Sequence, residues 1–426
     1  MSQPMRKPKQ LLCLPDDIVS DILTWLSVKS IIRFRCVSKS WNSIITNPIF
    51  ITIHLVRAKS LLNNNSNKNH NGFLLYIESC KELRTVVCNS DGTLTQISTL
   101  KIPFSNIVIV DYCNGMFYLR NYQNHILYLW NPSIRKFKML GPPHLTDPSA
   151  LIAYGLGYHS QNSDFKIVRI VLLESKVPPV AEAEVYTLST DSWRRIVISL
   201  ESEPNIGYID FIDVLSPGLF FNGGLHSTVF SGDYKFILSF DVNDETFRPI
   251  MLPQNFFDEM LALSFDSLGV FKGSLVLFVC GEHLDGDVDV SHIWVMREYG
   301  VVESWTKIIV PVDSAEWFWG CTDSGELLLN TFERGLVSYD LESLNENNLG
   351  IQNSPWLSYT ADLMESLVLL DQVKCHLNMK IRDKFVEANS KMKVHIDKCF
   401  FGMASYMHFE HYIHVDIFIK QCCLAC

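Results

Sequence analysis

Along the middle of this 426-residue chain, a pair of aromatic residues seven positions apart returns at a nearly constant interval, and few architectures tolerate such a period. The pairs are Trp130 with Phe137, Tyr186 with Trp193, and Phe240 with Phe247; Trp294 and Trp305 repeat the pair with four residues inserted. First members are separated by steps of 56, 54 and 54 residues. Tyr76, with Leu83 in the partner place, lies another 54 residues upstream, and Tyr339 lies 45 downstream. A period of about fifty residues predicts stacked supersecondary units, as in a β-propeller. Up to six units fit residues 73 to 345, the first and last degraded.

Local chemistry predicts a hairpin in each unit. Short apolar runs such as 73–77, 107–110, 165–173, 275–279 and 327–329 read as strands. Turn residues separate the two aromatics, in Asn131-Pro132-Ser133, Ser189-Thr190-Asp191 and Asp241-Val242-Asn243-Asp244. Upstream, Gly115, Gly157, Gly224, Gly273 and Gly325 open further apolar strands. A single hairpin leaves an apolar face uncovered, and radial stacking covers it. A β-sandwich whose aromatics recur at turns is the alternative.

Ahead of the repeats the pattern is helical. Pro15 suits a first helical position, and Asp16 and Asp17 place negative charge at the positive end of the helix. Ile18, Ile22, Leu23 and Leu26 recur at helical spacing as one apolar stripe. Ser27 can cap a second short helix carrying Ile31, Ile32 and Phe34, and Ser38 a third carrying Trp41, Ile44 and Ile45, with Pro48 as its stop. Three helices in about forty residues make too small a unit to bury every apolar face, so some of that surface should meet a partner.

The order of Leu14-Pro15, the helical stripe, the string Arg33-Phe34-Arg35-Cys36-Val37-Ser38-Lys39-Ser40-Trp41 and the closing Asn47-Pro48-Ile49-Phe50 resembles an F-box, here residues 11–52. Ser27 stands where plant-type members often carry proline. Leu129-Trp130-Asn131-Pro132-Ser133-Ile134-Arg135, Gly155-Leu156-Gly157-Tyr158 and Ala183-Glu184-Val185-Tyr186-Thr187-Leu188 resemble the plant F-box-associated, kelch-like domain. The Gly223-Gly224 doublet is kelch-like but occurs once, which argues against a strict kelch repeat.

The resemblance covers roughly residues 11 to 370, with Met364-Glu365-Ser366-Leu367-Val368 as the usual end of such chains. It implies an α+β multidomain chain: a small three-helix F-box at 11–52, a polar linker at 53–72, an all-β kelch-like propeller at 73–345 and a C-terminal extension at 346–426. It further implies a non-catalytic substrate-recognition subunit of a ubiquitin ligase. Such a subunit docks a Skp-type adaptor, and through it a cullin and a RING subunit, by Leu14, Pro15, Ile18, Ile22, Leu23, Leu26 and Val37. A protein substrate would be held by the β-domain, through residues the sequence does not name. The rival expectation is a glycan- or small-molecule-binding propeller whose helices only pack.

Charge and composition narrow the partners. A net charge of -10 argues against general nucleic-acid binding. No apolar stretch is long enough to span a bilayer, and the basic start at Arg6-Lys7-Pro8-Lys9 leads into no signal-peptide core. The expectation is a cytoplasmic or nuclear protein, without cofactor or metal, whose twelve cysteines are free thiols. His408, His411 and His414 with Cys422, Cys423 and Cys426 match no zinc spacing, and Asp285, Asp287 and Asp289 lack the glycine and glutamate of a calcium loop. Trp317-Phe318-Trp319 reads as either a binding hot spot or propeller core.

Overall fold

The computed structural model describes residues 15–64, 73–77, 82–88, 94–102, 106–147, 149–200, 207–214, 218–232, 234–253, 256, 263–282, 289–321, 325–351, 359–360 and 364–370. Leu14, the polar run 65–72, Asp285, Asp287 and the His/Cys-bearing stretch beyond residue 370 lie outside the described residues.

Four helices lead the chain: α1 (Asp16–Thr24), α2 (Val28–Phe34), α3 (Lys39–Ile45) and α4 (Pro48–Asn64). Ser27 and Ser38 cap α2 and α3 as expected, accepting from the backbone N–H of Ser30 and Trp41. The fourth helix corrects the reading of Pro48 as a stop. Proline lacks a donor that the first helical position does not use, so Pro48 opens α4. Asn47 Oδ1 accepts from Ile49 N at 2.9 Å, and the helix runs through residues 53–64, which the sequence reading had placed in a linker. At α1 the shift is one residue: Pro15 is the N-cap, and its carbonyl accepts from Val19 N at 3.0 Å.

The rest is antiparallel sheet, in six successive groups. The second sheet is built from Ile107–Cys113, Met116–Asn121, Leu127–Asn131 and Lys136–Met139; the third from Leu151–His159, Asp164–Leu173, Val180–Thr187 and Ser192–Ile196. The fourth pairs both Phe211–Ile212 and Leu219–Phe221 with Gly224–Ser231, then adds Tyr234–Asp241 and Phe247–Met251. Leu263–Phe271, Ser274–Glu282, Asp289–Met296 and Trp305–Val310 form the fifth, and Ala315–Cys321, Leu327–Thr331, Gly335–Tyr339 and Glu346–Ile351 the sixth. The first sheet joins Phe73–Ile77, Glu82–Cys88 and Leu94–Lys101 to Tyr359–Thr360 from the far end of the domain. First strands of neighbouring sheets lie side by side from the second sheet to the sixth and back to Tyr359–Thr360, which is the propeller arrangement. Strands therefore continue past residue 345, the boundary expected from sequence.

The aromatic period has a structural cause. Trp130 and Phe137, Tyr186 and Trp193, and Phe240 and Phe247 are direct cross-strand partners on the third and fourth strands of their sheets. Two residues before each second member the chain turns with positive φ, at Arg135 (52°), Asp191 (51°) and Glu245 (56°). Asn131 and Asp241, next to the first members, accept backbone N–H groups inside these turns. The four-residue insertion after Trp294 changes the register, so that Trp294 faces Lys307 and Trp305 faces Met296. Tyr76 does not occupy the repeat position: it faces Arg84 on the second and third strands of the first sheet. That sheet borrows its first strand from residues 359–360, so the chain enters the ring one strand late and the period breaks there.

Most of the core lies between sheets, in clusters linking the second to the third, the third to the fourth, the fourth to the fifth and the fifth to the sixth. Phe318 belongs to the last, stacked on Phe278 at 5.4 Å over Gly269, where a Cβ would overlap its ring. Trp317 and Trp319 are half-buried on the same innermost strand. Buried polar groups tie neighbouring sheets together. Asp111 accepts from Leu156 N of the next sheet, and burial pushes its carboxyl up to about 8. Cys36, Cys113, Cys280 and Cys321 are free thiols.

Candidate functional site

The helices present two kinds of apolar surface. Inside, Val19, Leu23, Val28, Ile31, Ile45, Phe50 and Ile51 pack together, with Leu26, Ile32, Phe34, Trp41 and Ile44 partly buried around them. Outside, α1 exposes a row at i, i+4, i+7: Ile18 (45 % exposed), Ile22 (48 %) and Trp25 (60 %). The single stripe expected from sequence is thus divided. Ile18 and Ile22 face solvent, whereas Leu23 is 1 % exposed and fills the interior, where no partner can reach it without opening the unit. Helical geometry explains the division, because Val19 and Leu23 lie about 100° around the axis from Ile18 and Ile22.

The other expected docking residues fall around this row. Pro15 is exposed at the head of α1, Leu26 is partly buried at its end, and Val37 is 59 % exposed in the turn between α2 and α3. Ser40 Oγ donates to Asp16 Oδ1 at 3.0 Å, which ties that turn to the start of α1. Leu14 lies outside the described residues.

Further exposed side chains went unassigned from sequence. Trp25 is held by the Arg57 guanidinium, 3.7 Å from its ring centroid, while Arg57 also pairs with Asp21 at 3.3 Å and donates to Thr24. Ile49, Ile53 and Val56 make a second exposed row at i, i+4, i+7, on α4. Their spacing was legible, but the reading of Pro48 as a stop hid it. Exposed apolar rows on so small a unit mark an association surface. Burying them on a partner would drive binding through the hydrophobic effect, with Arg57 and Asp21 at the margin.

The helical unit is fixed to the propeller. Leu55 of α4 joins the cluster of Met116, Tyr118, Tyr158 and Phe165, and Lys59 Nζ lies 4.8 Å from the Tyr158 ring centroid. His54 Nε2 is 3.1 Å from Leu26 O, and burial holds this imidazole below its usual pKa. Nothing in this surface is arranged for bond chemistry. Among the described residues no group of three or more His, Cys, Asp or Glu side chains is arranged to hold a metal ion. Among them also, no helix is long and apolar enough to cross a membrane.

A helical docking unit rigidly joined to a propeller defines a class of bipartite adaptor: one part attaches, the other presents. Comparison with known families agrees. Residues 11–52 match the F-box domain and residues 85–354 the F-box associated beta propeller domain. The chain belongs to the family of F-box proteins with an F-box-associated propeller. It is 27 % identical over 345 residues to an F-box/kelch-repeat protein of Arabidopsis thaliana, covering 77 % of this chain and 87 % of that one. It is also 27 % identical over 386 residues to the F-box protein CPR1 of the same plant, covering 84 % and 89 %. Membership implies a substrate-recognition adaptor that binds a Skp-type partner through the F-box and a substrate through the propeller.

Proposed function

We propose that this chain is the substrate-recognition subunit of a Skp/cullin/F-box ubiquitin ligase, acting in the cytoplasm or nucleus. The observation that carries the reading is the exposed row Ile18, Ile22 and Trp25, with Val37 beside it, on a unit that the family match identifies as an F-box. The chain supplies no reacting group in this reading. It holds a substrate near ubiquitin charged on a conjugating enzyme, which the cullin and RING subunit bring, and so raises the effective concentration of the two reactants.

The substrate belongs at the opposite end of the ring. The turns between first and second, and third and fourth, strands lie on the helical side, where Gly115 and Asn131 contact the segment packed against the helices. Tyr122, Tyr234 and Phe332, exposed between second and third strands, therefore mark the other end, and Tyr208 in an inter-sheet connection joins them. Exposed aromatics of this kind are the material of protein-binding hot spots.

Ile18→Asp with Ile22→Asp tests the reading, since both positions face solvent and the fold should persist. Complex formation with a plant Skp-type adaptor, followed by size exclusion, should fall at least about a hundredfold in affinity, as expected for charges placed at the centre of an apolar interface. Undiminished binding by the double variant would overturn the assignment of this face.

A further inference from the structure

The interior of the helical unit is finished by residues more than three hundred positions away. Leu367 and Leu370 are buried among Val19, Leu23, Val28, Ile31, Ile45, Phe50 and Ile51, and Ile134 from the last turn of the second sheet packs on the same cluster. Glu365 Oε2 accepts from Val28 N at 3.0 Å. Met364 and Leu369 point the other way, into the cluster shared by the second and third sheets. The segment therefore has two apolar faces, one in each domain.

Its backbone is held by propeller side chains. Asn131 Nδ2 donates to the carbonyls of Ser366 and Val368, each at 2.9 Å, and Lys136 Nζ to those of Leu369 and Leu370 at 3.1 and 2.9 Å. Met364 N donates to Tyr112 Oη at 2.7 Å and Ser366 N to Ser133 Oγ at 3.3 Å. Gly115, at φ 84°, lets the segment pass, since a Cβ there would lie 2.6 Å from Ser366 Cβ. Leu369 is buried at φ 73°, a conformation that a leucine adopts only where its surroundings over-determine it.

We propose that Met364–Leu370 is a strap that completes the F-box core, so that the adaptor-docking surface is fully formed only once the propeller has closed. The strand that closes the ring, Tyr359–Thr360, ends three residues before Met364, so closure delivers the strap to the helices. Without the strap, Leu23, Val28 and Ile31 lose apolar neighbours and α2 loses the acceptor of Val28 N, in a unit already too small to be stable alone. An unfinished or opened propeller is thereby kept from recruiting the adaptor. The consequence for the adaptor rests on the function proposed above; completion of the core does not.

Hydrogen exchange of the full chain, with and without Leu367→Ala, measured beside affinity for a plant Skp-type adaptor, tests both parts. Protection of α1 to α3 should drop at least about thirtyfold, the lower limit for truncating a buried leucine. Protection in the third to fifth sheets should stay unchanged, adaptor affinity should fall in parallel, and Leu367→Met should restore both. Asn131→Ala, which frees the strap without touching the helices, should act in the same direction. Unchanged protection of α1 to α3 in Leu367→Ala would overturn the strap, and lost protection with full adaptor affinity would overturn its control of docking. If the unaltered chain binds no adaptor, the ligase reading fails, while the exchange data still decide whether the strap completes the helical unit.

Discussion

His226 shows how much a single side chain contributes to holding sheets together. Fully buried in the fourth sheet, its Nδ1 lies 3.0 Å from Leu219 O, a group that can only accept, so Nδ1 carries the proton and Nε2 faces Tyr299 Oη at 2.7 Å. Burial pushes its pKa down to about 4, against weaker opposing hydrogen bonds to the backbone. Because the folded value lies below the unfolded one near 6.5, the neutral ring stabilises the fold above pH 6.5, and that contribution is lost as pH falls toward 4. We expect about 2 kcal/mol less stability at pH 5 than at pH 7.5 from this group alone. His54 has the same sign and adds to it. His226→Gln should flatten the acid limb of the urea midpoint against pH; an unchanged limb would show that the ring is not held neutral. Nothing in the sequence around His226 announces this role, since Tyr299 comes from the following sheet.

At the scale of elements, the hairpins between third and fourth strands explain why so much was readable. Each combines an aromatic, a turn-forming polar residue and a second aromatic in a fixed count, and all three act within about ten residues. Phe240 and Phe247 have ring centroids 4.9 Å apart, and both are buried between the third and fourth sheets. Phe240→Ala should destabilise the propeller by about 3–5 kcal/mol, seen as a lowered urea midpoint, because a rigid inter-sheet core collapses poorly around a cavity. A loss under about 1 kcal/mol would mean that the pair marks the turn without holding the sheets together. The indole of Trp193 donates to Gly141 O and that of Trp305 to Met251 O, so second members also fasten the edge of the preceding sheet. Helices were less legible. Ser27 and Ser38 identified α2 and α3 through local caps, but Pro48 is compatible with either stopping or starting a helix. Only the packing of Phe50, Ile51 and Leu55 on other elements decides in favour of a start.

For the whole molecule, closure is the controlling event. Leu74 faces Thr360 and Leu75 faces Tyr359, so a two-residue strand from the end of the domain occupies the first place in the sheet that begins it. Tyr359→Pro with Thr360→Pro removes both ladder donors there. We expect Tm to fall by several degrees and the uncovered edge to promote self-association detectable by light scattering. A monomer of unchanged Tm would place closure elsewhere. The strap that follows this strand couples the ring to the helices, which fixes the direction in which a presented substrate faces.

The sequence by itself determined what is local or periodic: the hairpin repeat, the caps of the short helices, the F-box string and hence the family. Periodicity is a property of neighbours along the chain, so it survives without a structure. Tertiary structure alone decided which apolar residues of α1 face out, since Ile18 and Leu23 are equally apolar and differ only in angular position relative to a core that Leu367 and Leu370 help to build. It likewise decided that the first sheet borrows its inner strand and that Met364–Leu370 serves two domains at once. Contacts spanning hundreds of residues leave no local pattern, because the groups that give them their energy are brought together only when the ring has formed.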